Sequence, residues 1–308
     1  MKRETVKYKS EAEWLDLKSR DVTSTESSAL FGLNQYMTEL ELYHLKKSGE
    51  VRAFDSNERM RWGQRLEASI AEGVSEELSC DVSPFKNYIR MPEVRMGASF
   101  DYEILSGKYK DWLMEVKNVD SLIFKQQWSE TEATDYIETQ VQHQMEVADR
   151  PGCLVVALVG GNRIFYIPRE RDLDVGKALK NRIKKFWQDI ESGNEPSPDY
   201  ERDADFIIGL HQASGGEVLD GSGNETLVDL IKSYHEITQD ITENDKEAKA
   251  IKAQILEIIG DGPSKVLVDG YSLSCSMTKN TPPTVITDEM IGQTYGGRKG
   301  FRNFRITK

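Results

Sequence analysis

Apolar positions follow helical spacing in the first part of the chain, alternate as in strands through the middle, and return to helical spacing after residue 225. Residues 10–18 predict a short helix, and TSTESSALFGLNQYMTELELYHLKKSGE predicts a Ser/Thr-rich start, a glycine break and an amphipathic helix. Met60, Leu66, Ile70 and Val74 keep a helical period that puts Glu67 inside a helix, weakened locally by Gly73. The middle reads differently. NYIRMPEVRMGASFDYEI is strand-like with a proline break, SGKYKD is turn-like and WLMEVKNV is strand-like again, which predicts a hairpin from GASFDYEI to WLMEVKNV. A helix over TDYIETQVQHQMEVAD, strands over GCLVVALVGG and RIFYIPRE around a Gly-Gly-Asn turn, and VGKALKNRIKKFWQDIESG after them point to a mixed α/β sheet covered on both faces.

The Pro- and charge-rich NEPSPDYERDAD could release the chain from the sheet, which predicts a core of residues 1–209 and an extension of 210–308. In the extension, Leu227, Leu230, Ile231, Tyr234, Ile237 and Ile241 start a helical stripe that resumes at Ile251 after the charged TENDKEAK. The break predicts a helical hairpin packed on the body, with a coiled-coil partner surface as the alternative. A small β extension comes next. Near the end, Arg298, Lys299, Arg302 and Arg305 interleave with Phe301 and Phe304, as a nucleic-acid contact or an amphipathic edge strand.

Composition narrows the class. With 308 residues, 38% apolar and 30% charged, the chain can bury a core as one large domain or two ordinary ones. No apolar run nears the roughly 20 residues of a membrane span, and MKRETVKYKSEAEW lacks the apolar core of a secretory signal, so a cytoplasmic location is expected. Cys80, Cys153 and Cys275 are too scattered for a disulfide framework or a cysteine metal site. A net charge of −12 argues against coating DNA by bulk attraction, although a local basic channel would suffice. Arg163, Arg169, Arg171, Lys180, Arg182 and Lys185, with Lys177 and Lys184, are the candidate lining.

In a strand, Glu115 and Lys117 share one face with Leu113, while Met114 and Val116 take the other. Two further acid-x-Lys triplets, Asp16 to Lys18 and Glu247 to Lys249, fall in helical text, where residues two apart diverge. Only Glu115 and Lys117 can converge. The hairpin carries Asp101 beside Glu115, and two clustered carboxylates suit Mg²⁺ or Mn²⁺. Such an ion could polarise a phosphoryl oxygen, with Lys117 positioning a water and adding positive charge. Glu67 could complete the metal shell and Gln140 could orient water or DNA. A surface salt-bridge cluster is the other reading of the trio.

The order of these motifs, over roughly residues 14 to 190, resembles the YqaJ-like viral recombinase family, the phage lambda exonuclease group of PD-(D/E)XK nucleases. WLDLKSRDVTSTESSALFGLNQYMTELELYHLKKSGE looks like its opening segment, where an Arg and a Ser hold a terminal DNA phosphate. MRWGQRLEASI resembles its WG-x-x-x-E helix, GASFDYEI its S-P-D-G segment, LMEVKNV its E-x-K strand and YIETQVQHQMEVADR its Q-V-Q helix. The resemblance implies a restriction-endonuclease-like core, with Asp101, Glu115, Glu67 and the Val116 carbonyl as metal ligands and Lys117 and Gln140 as further catalytic residues. It implies a phosphate pocket at Thr25 with Lys18 or Arg20. Thr25 replaces the family's Ser, Lys18 falls on its Arg position, Phe100 and Tyr102 replace Pro and Gly around Asp101, and the Cys-Pro usual after the Lys is missing. The activity implied is Mg²⁺-dependent 5′→3′ digestion of double-stranded DNA ends, leaving 3′ single-stranded tails for phage-type recombination. A homo-oligomeric ring, trimer or tetramer, and a single-strand annealing protein are the implied partners. The alternatives are an endonuclease of the same superfamily and a non-catalytic DNA-end-binding assembly factor.

Overall fold

Strand alternation in WLMEVKNV becomes the middle strand of a five-stranded sheet in the computed structural model, which describes residues 1–50, 57–212, 216 and 218–276. The chain begins with β1 (Glu4–Val6), α1 (Glu11–Ser19), β2 (Val22–Thr23), a 3₁₀ turn over Ser27–Phe31, α2 (Glu39–Ser48) and α3 (Glu58–Leu78). Each early helix starts where a side chain satisfies free N–H groups. Ser10 caps α1, Thr38 and Glu41 form a capping box on α2, and Asn57 caps α3. Gly32, at φ 71, supplies the left-handed turn that ends the 3₁₀ segment.

Next come β3 (Val82–Pro84), β4 (Tyr88–Met91), β5 (Met96–Ala98), β6 (Tyr102–Ile104), β7 (Leu113–Val119), α4 (Ser121–Gln127), α5 (Asp135–Ala148), β8 (Gly152–Val159), β9 (Arg163–Glu170) and α6 (Leu173–Ser192). The main sheet has the order β3-β6-β7-β8-β9, with β7 and β8 parallel and the other pairs antiparallel. β4 and β5 leave it for a second sheet, β1-β4-β5-β2. GASFDYEI is therefore split: Gly97 and Ala98 belong to the second sheet, and the hairpin with β7 begins at Tyr102.

The two faces of β7 pack on different helices. Met114 and Val116 join Ile70, Ala71 and Val74 of α3, while Leu113 joins Ile137, Val141 and Met145 of α5. β8 is buried on both faces, the reason its text is continuously apolar. This is the expected mixed α/β core, with helices on both faces of a mixed sheet.

An ion cluster ties α5 to α6 and to the turn before it. Glu146, only 2% exposed, accepts from Arg171 Nη2 at 2.7 Å and Lys180 Nζ at 2.5 Å. A Cβ at Gly176 would lie 2.5 Å from Glu146 Oε2, so α6 needs glycine there. Burial alone would raise the Glu146 pKa, but hydrogen bonds and charge from Lys180 and Arg171 outweigh it and hold the carboxyl below its ordinary value. Because the folded pKa is lowered, this stabilisation is complete above the unfolded-state pKa and is lost as pH falls through the folded value. Glu146→Gln, which leaves Lys180 without its carboxylate, is expected to destabilise the chain by about 3 kcal/mol at neutral pH. The penalty should shrink toward acid. Thermal unfolding across pH checks both statements.

NEPSPDYERDAD follows α6 away from the sheet but stays anchored to the first unit. Arg202 donates to the Asn34 carbonyl, and buried Asp203 accepts from Thr38 Oγ1 at 2.5 Å, binding the stretch back to the start of α2. α7 (Ala204–Leu210) comes next, and the chain divides into compact units of Met1–Ile208 and Gly209–Lys308. The described part of the second unit holds α8 (Glu225–Ile259) and a hairpin of β10 (Lys265–Val268) and β11 (Tyr271–Ser274). The helical hairpin expected there is instead one continuous helix of 35 residues. TENDKEAK contains no Gly or Pro and places Asp245 four residues before Lys249, so it carries charge through a helix without stopping it. The basic and aromatic residues 298–305 lie outside the described residues.

Candidate active site

Glu115 and Lys117 project from the β7 face that α5 covers. Glu115 is 3% exposed, and its oxygens accept three hydrogen bonds: Oε1 accepts from Lys117 Nζ at 2.5 Å and Gln140 Nε2 at 2.6 Å, and Oε2 accepts from Gln144 Nε2 at 2.7 Å. Gln140 and Gln144 are one helical turn apart on α5, so both amides reach the same carboxylate. Gln144 also donates to the Ser99 carbonyl at 3.2 Å, tying the loop before Asp101 to the same helix.

Asp101 immediately precedes β6, and its Oδ2 accepts the Val116 N–H at 2.9 Å. That bond fixes the carboxylate against β7 between Glu115 and Lys117. Burial, then the charge of Glu115, push the Asp101 pKa well above its ordinary value. Burial pulls Lys117 down, but Glu115 and Asp101 outweigh it and hold the ammonium protonated. Glu67, on α3, is raised first by burial and then by Glu115. It feels the site's charge without closing on it. Among the described residues, no three His, Cys, Asp or Glu side chains come close enough to hold a metal by themselves.

The structure thus brings Asp101, Glu115, Val116, Lys117 and Gln140 together and leaves Glu67 at the margin. Gln140, expected to orient water or DNA, has its amide nitrogen on Glu115. Sequence reasoning misses Gln144, although its spacing from Gln140 in QVQHQ is the available signal. Tyr136, at the start of α5, also senses Lys117 and meets Tyr36 edge-on with ring centroids 5.9 Å apart. A groove of about 550 Å³ beside it is lined by Leu33, Gln35, Trp128 and Thr134 among others.

The three phosphate-pocket candidates part company. Arg20 pairs with Asp16 at 2.5 Å on the exposed side of α1. Lys18 stacks its ammonium over Trp14 at 4.2 Å, and burial lowers its pKa, opposed by Glu26 and aided by Lys46. Thr25 is exposed, with its Oγ1 3.3 Å from Thr23 Oγ1. Lys46 and Glu26, which no sequence motif marks, hold this loop. Lys46 Nζ donates to Glu26 at 3.0 Å and to the Lys18 carbonyl at 2.8 Å, while Glu26 accepts the Thr23 N–H. Six of the eight residues of the expected basic lining are matched within the chain: Arg163, Arg169, Arg171, Lys180, Arg182 and Lys185 pair with Glu130, Glu138, Glu146, Glu146, Glu39 and Asp189. Charge already matched internally attracts DNA weakly.

Similar proteins give the site a context. The uncharacterized protein YqaJ of Bacillus subtilis (strain 168) is 26% identical over 255 residues, covering 79% of this chain and 76% of that protein. Two solved exonucleases are also similar. LHK-Exo, an alkaline exonuclease of Laribacter hongkongensis crystallised with dAMP, is 19% identical over 64% of this chain and 99% of its own, with a TM-score of 0.48. A phage-related exonuclease of Haemophilus somnus 129PT is 14% identical over 56% and 96%, with a TM-score of 0.38. Residues 13–151, which contain Glu67, Asp101, Glu115, Lys117 and both glutamines, match the family model of the YqaJ-like viral recombinase domain.

Proposed function

We propose that this chain is a Mg²⁺-dependent exonuclease that digests one strand of linear double-stranded DNA from its 5′ end and leaves 3′ single-stranded tails. One observation carries the reading: Asp101 and Glu115 converge with Lys117 on one face of β7, within a YqaJ-like domain.

The donor set fits a hard divalent cation. Asp101 keeps Oδ1 and Glu115 keeps a lone pair on Oε2 after the hydrogen bonds described, and the Val116 carbonyl offers a third oxygen. The mutual repulsion of two desolvated carboxylates is what such a cation would relieve. Mg²⁺ is the expected ion, and Mn²⁺ should substitute. When bound, it would supply Lewis-acid polarisation of a phosphoryl oxygen and neutralise charge that develops there.

The chain's own groups do the rest. Gln140 and Gln144 hold Glu115 in one orientation, and the Val116 N–H does the same for Asp101, so both carboxylates are preorganised. Lys117 presents a fixed ammonium to the attacking water and to the phosphoryl oxygens. Water adds to phosphorus as the P–O3′ bond breaks, which leaves a 3′-hydroxyl on the released nucleotide and a 5′-phosphate on the remaining strand. Each cut would then recreate the group that a pocket at Thr25 and Lys18 would receive; Arg20, paired with Asp16, is the weaker candidate. A ring of three or four copies and a single-strand annealing protein are the partners that suit such an enzyme.

Digestion of end-labelled linear duplex with and without Mg²⁺ tests the reading. Linear DNA should be consumed from its 5′ ends, faster with a 5′-phosphate, while covalently closed circles stay intact. Lys18→Ala should remove the advantage of the phosphorylated end and leave the rate on 5′-hydroxyl ends nearly unchanged. Nicked or cut circles would instead indicate an endonuclease, and Mg²⁺-independent end binding without product would indicate an assembly factor.

A further inference from the structure

Ser99, Phe100 and Asp101 carry the chain from β5 of the second sheet to β6 of the main sheet. No strand ladder holds this crossing, because the pairing of β5 ends at Ala98 and that of β6 begins at Tyr102. Yet the crossing fixes a carboxylate. The pairing of β6 with β7 stops at Met114, and the Val116 N–H beyond it takes Asp101 Oδ2 as its acceptor in place of a neighbouring strand.

Local ties around the crossing therefore decide where Asp101 sits. The Phe85 N–H donates to the Asp101 carbonyl at 3.0 Å, and the Phe85 ring meets that of Phe100 with centroids 4.8 Å apart. Gln144 on α5 donates to the Ser99 carbonyl, and Trp14 on α1 donates its indole N–H to Ser99 Oγ at 2.8 Å. The Trp14 tie differs from the others in what the same ring also does. Trp14 and Lys18 are one helical turn apart, and the Lys18 ammonium lies over the indole face, 4.2 Å from its centroid.

A cation is held by the negative face of an indole, whereas the N–H lies in the ring plane, so both contacts are made at once. α1 buries no residue of its own, which leaves such contacts to set its place on the body. We propose that Trp14 is a positioning residue that joins two parts of the site: its face seats Lys18, and its N–H seats Ser99 and, two residues on, Asp101. The grip on a terminal phosphate and the carboxylate at the cation site then share one support. The Lys18 half rests on the proposed exonuclease reading; the Asp101 half does not.

Hydrogen exchange of the full chain, without metal or DNA, tests the Asp101 half. Trp14→Phe keeps an aromatic face for Lys18 and removes the N–H donor. The Val116 amide should then exchange about fivefold faster, the size of one net hydrogen bond, while Val156 in the middle of β8 keeps its rate. Ser99→Ala should give the same acceleration, and the double variant should add nothing further, because both substitutions remove one bond. End selection reads the Lys18 half. Trp14→Phe should keep most of the rate advantage of a 5′-phosphorylated end over a 5′-hydroxyl end, and Trp14→Leu, which has no ring, should lose it. An unchanged Val116 rate in the single variants, equal acceleration at Val116 and Val156, or additive effects in the double variant overturns the inference. So does a Trp14→Leu protein that prefers the phosphorylated end as strongly as the unmodified one. Absence of any digestion would sink the exonuclease reading and the Lys18 half with it, while the exchange rates would still decide whether Trp14 seats Asp101.

Discussion

Lys117→Ala is expected to lower digestion of linear duplex about 10³-fold while DNA-end binding changes little, as measured by single-turnover rates beside equilibrium binding. The reason is positional. Lys117 shares its face of β7 with Glu115, touches Glu115 Oε1 at 2.5 Å, and is held charged by two carboxylates, so its ammonium is a fixed positive group at the point where phosphoryl charge would develop. On the proposed reading, binding to duplex would be spread over many contacts and would lose only one cation. Digestion within about tenfold of the unmodified rate would show that Lys117 serves only to neutralise Glu115.

Asp101→Asn is expected to act in two directions. Digestion should fall by 10³-fold or more, roughly the loss of a cation contribution of several kcal/mol, and Mn²⁺ binding by calorimetry should disappear. The cation-free protein should become more stable, by a few degrees in its thermal midpoint. Asn keeps the bond from the Val116 N–H through its carbonyl oxygen and removes a carboxylate that burial and Glu115 both disfavour. A variant that melts lower than the unmodified protein without metal would show that the carboxylate stabilises the fold, and the site reading would then lose its physical basis.

Much of this site is legible in the sequence because it depends on local periodicity. A period of two in WLMEVKNV separates Glu115 and Lys117 from Met114 and Val116, and the core obeys that division. The helix over QVQHQ likewise aims Gln140 and Gln144 the same way. The illegible part rests on partners distant in sequence. β4 and β5 look like extensions of the hairpin, but a strand's own alternation does not choose the sheet it joins. Arg169 finds Glu138 and Arg182 finds Glu39 only after folding, so a run of cations in sequence need not be a free basic surface. The continuity of α8 is hidden for another reason: a charged stretch reads like a break, although five of its eight residues are Glu, Lys or Ala, which are good helix formers.

The parallel pairing of β7 with β8 also sets an order of events during synthesis. Leu113 through Val119 lie beside Cys153 through Val159, and α4 and α5 occupy the crossover between them. Such non-local contact carries a loop-closure cost before it returns any stability. Until β8 has emerged and docked, α5 has no finished sheet to settle on, and its glutamines cannot steady Glu115. On the proposed reading, the emerging polypeptide is therefore a harmless precursor, and any capacity to cut arrives only once the crossover has closed.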